Sequence, residues 1–186
     1  MNAVATFHRT RDWFAAIAED RARMRFLRLS LIWTAVAWLV VTVAANTISH
    51  TYKIGLDLEE VRCMPWRVYV LHFERPQIAR GGFVAYRDFE GVMGPNYAGK
   101  MIGKMVAGVP GDHVVVKDDF AWVNGAPVGK LIHNAKLGRA PGAFDRDEIV
   151  PEGKIFVVGT EPRSFDSRYW GFLDQRSVIG SLSPLF

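Results

Sequence analysis

Three short stretches of this 186-residue chain combine residue types that can move protons or carry an acyl group. The first is "RCMPWRVYVL", in which Cys63, the only cysteine in the sequence, is followed two positions later by Pro65 and flanked by Arg62 and Arg67. A lone cysteine most often serves as a small buried hydrophobe. Here the proline and the arginines imply an irregular, partly polar setting in which a thiolate is favoured. The second stretch is "GKMIGKMVAGVPGD", where Lys104 is surrounded by Met101, Ile102, Met105, Val106 and Val109. Burial disfavours the charged form of an amine, so a lysine in such company is suited to accept a proton. Lys100 is the alternative, with more polar neighbours. The third stretch, "SFDSRYWGFLDQRSVIG", brings Ser164, Asp166, Arg168, Tyr169 and Trp170 close together along the chain. In an extended conformation Ser164, Asp166 and Arg168 share one side, and the Asp166–Arg168 pair would lock the backbone that presents the hydroxyl. Tyr169 and Trp170 would seal that corner; a turn with a surface ion pair is the competing reading.

The elements that must position these groups follow from patterning. Length and a hydrophobic content of 49% allow one folded domain plus attachments. From Leu29 to Ser49 there is no charged residue, a run of roughly 31 Å as a helix, which matches a bilayer core. An uncleaved anchor is favoured over a signal peptide because the run is long and 28 residues precede it. The net charge of +4 is uneven: Arg9, Arg11, Arg21, Arg23, Arg25 and Arg28 all precede the apolar run. The positive-inside rule keeps that side cytoplasmic and sends everything after residue 50 across the membrane. Residues 1–28 are expected as a basic amphipathic cytoplasmic helix carrying Phe7, Trp13, Phe14, Ile17, Met24 and Phe26, or as a continuation of the membrane helix.

After His50 the texture is β-rich: "RVYVLHF", "GGFVAYR", "HVVVK", "FAWVNGAPV" and "KIFVVG" are separated by turn residues. Asn124-Gly125 predicts a hairpin turn. Residues 130–150 form the least regular portion, an expected excursion over the surface. The fold expected is therefore mainly β, with domains at 1–28, 29–49 (transmembrane) and 50–186 (extracytoplasmic). A single cysteine excludes an intrachain disulfide and a cysteine-based zinc site, and no cofactor is expected. Nucleic-acid binding is not expected, since the basic excess lies across the membrane from the folded domain and no groove-reading motif occurs.

Taken in order, the motifs resemble the membrane-bound signal peptidases of the serine/lysine dyad type. "KMVAGVPGD" resembles that family's lysine box and "SFDSRYWGF" its C-terminal "S-x-D-S-R-x-W-G" box. "RGGFVAYR" is similar to an "R-G-D-x-V-x-F" strand, with Gly82 where aspartate is usual, and "FAWVNGAPV" resembles the hairpin after the lysine strand. The resemblance covers nearly all of the chain after residue 60. It implies a signal-peptidase-like β-rich catalytic domain, with Lys104 as general base, Ser164 as the hydroxyl that orients it, and Asp166 with Arg168 as a supporting pair. The nucleophile position falls on Cys63, where the family uses serine, and Val61 stands where a hydroxyl residue often helps bind the oxyanion. "C-M-P-W-R-V-Y" looks closest to the conjugative-transfer branch, the TraF-type pilin-maturing peptidases. The expected activity is thus that of an endopeptidase or acyl transferase with a Cys/Lys dyad. It would be anchored in the bacterial inner membrane with a periplasmic catalytic domain. Its partners would be a pilin or signal-peptide-bearing precursor, the lipid bilayer and proteins of the conjugation machinery. General signal-peptide removal and a non-catalytic envelope-assembly relative are the alternatives. A thioester intermediate, more reactive toward amines than an oxygen ester, would suit ring closure of a pilin.

Overall fold

The computed structural model describes residues 21–60, 62–73, 76–88, 91–95 and 97–185. The chain divides into two units, Met1–Ser49 and His50–Phe186. Helix α1, Arg21–Thr51, is a single element. Its apolar side chains stay solvent-facing, Leu31 at 70% and Trp38 at 74% exposure. The stretch Arg23–Thr51 has a mean hydropathy of 1.9 and is long and apolar enough to cross a membrane. Hydroxyls within it bond back to the preceding turn, Thr34 to the Ser30 carbonyl at 2.8 Å, Thr42 to Trp38 at 2.7 Å and Thr47 to Val43 at 2.9 Å. These hydroxyls are thereby satisfied inside the helix. The helix runs through residue 29 without a break, so Met24 and Phe26 belong to α1. The expected amphipathic residues Phe7, Trp13, Phe14 and Ile17 lie outside the described residues.

Among the described residues, the second unit holds two antiparallel sheets. Strands β1 (Tyr52–Leu56), β2 (Val68–His72), β3 (Phe83–Arg87), β4 (Met101–Gly108), β9 (Lys154–Val158), β10 (Leu173–Asp174) and β11 (Val178–Pro184) form the larger, in the order β1-β2-β11-β3-β4-β9-β10. The smaller has the order β7-β6-β5-β8, from β5 (His113–Lys117), β6 (Phe120–Val123), β7 (Ala126–Lys130) and β8 (Arg146–Ile149). The expected excursion over 130–150 therefore contains a strand: β8, "RDEI", pairs with β5 despite its charged composition. The Asn124-Gly125 turn joins β6 to β7 with φ of 49° and 78°, as a two-residue hairpin loop requires.

Strand β9 explains how the sheets share a core. Its run "KIFVV" is buried on both faces. Phe156 and Val158 pack with Val114, Val116, Ala121 and Val123 of the small sheet. Ile155 and Val157 pack with Val84, Tyr86, Ile102 and Val106 of β3 and β4. A strand walled on both sides reads as a continuous apolar run, not as an alternation.

The "RGG" and "PGD" motifs meet in space. Asp112 accepts two bonds from the Arg80 guanidinium, one from Val109 N at 2.8 Å and one from Asn124 Nδ2 at 2.8 Å. Burial alone would raise the Asp112 pKa, but these donors outweigh it and hold the carboxyl below its ordinary value. A depressed folded-state pKa gives stability that is present above the unfolded value and lost as pH falls through the folded one. Asp112→Asn is therefore expected to cost about 1–3 kcal/mol at neutral pH. In denaturant titrations repeated at falling pH, the gap to the parent protein should close below the ordinary carboxylate range.

Candidate active site

Lys104 lies on β4 opposite Val84 of β3. The strand alternation puts it on the same face as Ile102 and Val106, which belong to the β3–β4–β9 core. Its side chain is consequently 0% exposed. The amine ends between two acceptors, 2.7 Å from Cys63 Sγ and 2.6 Å from Ser164 Oγ. Lys100, the alternative, is 57% exposed, pairs with Glu59 at 3.8 Å, lies over the Tyr97 ring and lines the same cavity as Cys63.

Cys63 sits in the irregular segment before β2. That segment is braced from both sides. Arg62 Nη1 donates to the Pro65 carbonyl at 2.8 Å, and the Tyr69 hydroxyl donates to the Trp66 carbonyl at 2.6 Å. Burial, reinforced by the Asp57 charge, pushes the Tyr69 phenol up to about 12, so it remains a donor at neutral pH. The Cys63 carbonyl accepts from Glu161 N at 3.1 Å, which ties the cysteine segment to the segment carrying Ser164. Val61 lies outside the described residues.

Asp166 and Arg168 do pair, but not on an extended strand. Asp166 caps the one-turn helix α2, Ser167–Trp170, its carboxylate accepting from Arg168 N. The same carboxylate takes Arg168 Nε at 2.8 Å and Nη2 at 2.7 Å in a two-pronged pair, and also Gly159 N at 2.8 Å. The remaining guanidinium donors reach the Ser164 carbonyl at 3.2 Å and the Lys130 carbonyl at 3.0 Å. Both residues are buried, and four of the five donors of the planar fork meet protein acceptors. Burial by itself would lower the Arg168 pKa, yet the Asp166 bonds hold it above the usual guanidinium value. The pair thus clamps the backbone on both sides of the hydroxyl. Tyr169 closes the corner against Phe144, Phe165 and His133, and its hydroxyl accepts from Ile132 N at 2.8 Å.

Gly159 was not among the residues singled out from sequence, yet the site is built against it. A Cβ there would lie 2.1 Å from Ser164 Oγ and 2.6 Å from the Cys63 carbonyl oxygen. The one available signal was a glycine directly after the apolar β9 run and five residues before Ser164. Gly159→Ala is expected to displace the hydroxyl and to cost about 10²-fold in turnover, the scale of a misplacement near 1 Å. Turnover kinetics beside a thermal melt would read this.

Cys63 opens into a cavity of about 770 Å³ whose walls include Gly55, Leu56, Met64, Ala85, Met101 and Gly103. Within the sheet, β9 pairs with β4 only at Met105, Val106 and Gly108. Among the described residues, that leaves the β9-facing edge of Met101–Lys104 without a strand partner. The arrangement can do definite chemistry: the amine can take the thiol proton, and an extended chain can bond to the open edge beside the sulfur.

Residues 23–186 match the family described as signal peptidase, peptidase S26. The chain belongs to this family. Over 101 residues this signal peptidase family member is 35% identical to signal peptidase I V of Bacillus subtilis, covering 48% of the chain and 59% of the relative. Over 90 residues it is 37% identical to signal peptidase I of Bacillus caldolyticus, covering 42% of the chain and 50% of the relative. The chain therefore spans about half the length of these curated relatives. A solved signal peptidase I from Enterococcus faecalis aligns at 28% identity with a TM-score of 0.37, covering 57% of this chain and 97% of that one.

Proposed function

We propose that the chain is a membrane-anchored endopeptidase that forms an acyl-enzyme on Cys63, with Lys104 as general base. The observation that carries this is the fully buried amine lying within hydrogen-bond reach of both Cys63 Sγ and Ser164 Oγ. Ser164 orients the amine, and Asp166 with Arg168 holds Ser164. The amine takes the proton as the sulfur attacks the scissile carbonyl, then returns it to the departing amino group. Water, activated by the same base, releases the acyl group. Residues 29–49 are the membrane anchor, 1–28 the cytoplasmic side, and 50–186 the extracytoplasmic peptidase, in the bacterial inner membrane. Cys63 follows the apolar run by 14 residues, so the natural substrates are exported or membrane-inserted precursors. The curated relatives support removal of signal peptides as the leading activity. An extended substrate would pair with the open edge of β4, small side chains fitting beside Ala85 and Gly103.

A second reading is favoured by the sulfur at position 63 and by "CMPWRVY": TraF-type maturation of a pilin, with the thioester passed to an amine and the subunit closed head to tail. Partners from a conjugation machine belong to this reading alone. Incubating the purified full chain with a signal-peptide-bearing precursor and, separately, with a pilin precursor decides between them by product mass. A new N-terminus on the secretory precursor supports the first reading. A pilin product lighter by one water than the linear fragment supports the second. Intact precursors in both arms would make the chain a non-catalytic relative and remove the proposal.

A further inference from the structure

The S26 reading explains why a lysine stands beside residue 63, but a sulfur in place of a hydroxyl oxygen adds chemistry that peptide cleavage does not use. Sγ and Nζ are 2.7 Å apart, and the amine is held there by Ser164 Oγ at 2.6 Å with no solvent access through which to leave. The sulfur, by contrast, lines the open cavity and is reachable by a small solute. We propose that the Cys63–Lys104 pair is an oxidative modification site, which a hydroperoxide such as hydrogen peroxide converts into a covalent sulfur–nitrogen cross-link. This regulation acts on the site described above and rests on that reading only for its effect on activity.

The step balances. Sγ attacks one peroxide oxygen, the O–O bond breaks, and Cys63 becomes a sulfenic acid while the second oxygen leaves with the thiol proton as water. The Nζ lone pair then attacks Sγ, the S–O bond breaks, and hydroxide departs with one amine proton as a second water. Sulfur gives up two electrons and peroxide accepts them. Sulfenic acids are known to condense with a nearby nitrogen in this way. A cross-linked pair has neither nucleophile nor base, so cleavage stops. A low-molecular-weight thiol attacks the sulfur, frees the amine and, after a second exchange, restores the thiol. The cross-link also spares the sulfur from irreversible sulfinic acid.

The test uses the full chain in detergent micelles, treated with hydrogen peroxide, digested and mapped by mass spectrometry. The expected result is a joined peptide pair containing Cys63 and Lys104, lighter by two hydrogens than the sum of its parts. It should disappear with dithiothreitol while cleavage activity returns. Lys104→Met should instead trap with dimedone or gain two oxygens at Cys63. The joined pair is read in the parent protein, so a poorly folded variant does not affect the outcome. If the parent protein forms the dimedone adduct or the sulfinic acid as fast as Lys104→Met and yields no joined pair, the inference fails. A joined pair in a protein that cleaves no precursor would keep this inference and remove the peptidase reading. Cleavage without a joined pair would do the reverse.

Discussion

Cys63→Ala, Lys104→Met and the double substitution are expected to leave the same residual precursor cleavage, each lower than the parent by about 10⁴-fold or more. Groups that act as a unit are strongly non-additive, because removing either one disables the step that needs both. Nζ touches the sulfur at 2.7 Å, so the two should behave as such a unit. Single-turnover cleavage of one precursor by all four proteins would measure this. Independent contributions that multiply in the double variant would break the dyad. The rate of Cys63 alkylation gives a second readout: it should change when Lys104 is replaced, because Nζ contacts the sulfur, and a rate that ignores the lysine would contradict the assignment.

The second large effect is on stability. Asp166→Ala leaves the Arg168 guanidinium buried at 2% side-chain exposure without its carboxylate. Breaking one half of a buried ion pair costs about 3–5 kcal/mol, since the remaining charge is uncompensated. The variant also loses the helix cap and the acceptor for Gly159 N. Urea unfolding should show a lower midpoint with an unchanged slope. Replacing both residues with apolar ones of similar volume should recover the part of the loss due to the stranded charge, but not the part due to the cap and the Gly159 N bond, and should not recover cleavage, because Ser164 would no longer be tethered through its carbonyl.

These groups differ in how far the sequence disclosed them. Lys104 was legible because a charged residue inside "MIGKMVAGV" conflicts with its neighbours unless it is buried for a reason. The apolar run of α1 and the Asn124-Gly125 hairpin were legible because each is a local rule written in consecutive residues. The geometry of Asp166 and Arg168 was not, because a one-turn helix has no periodicity and an aspartate two residues before an arginine fits both a strand and a cap. Strand β8 was hidden by its composition: "RDEI" is exposed along most of its length and is a strand only because β5 pairs with it. The role of Gly159 was harder to see for another reason. The Cys63 carbonyl that excludes a side chain there belongs to a segment distant in the chain, and Ser164, five residues on, reaches the glycine only because the intervening residues turn back, so neither contact is written as a local pattern.

The unpartnered stretch of β4 is the same stretch that ends in Lys104. A polypeptide zipped to that rail is indexed against the amine by the hydrogen-bond ladder itself. Sliding it by one residue would turn every side chain to the opposite wall, whereas sliding by two restores the facing pattern. Under the proposed function the strand would therefore work as a ruler with a two-residue graduation, and the choice of bond would fall to backbone spacing as much as to side-chain fit.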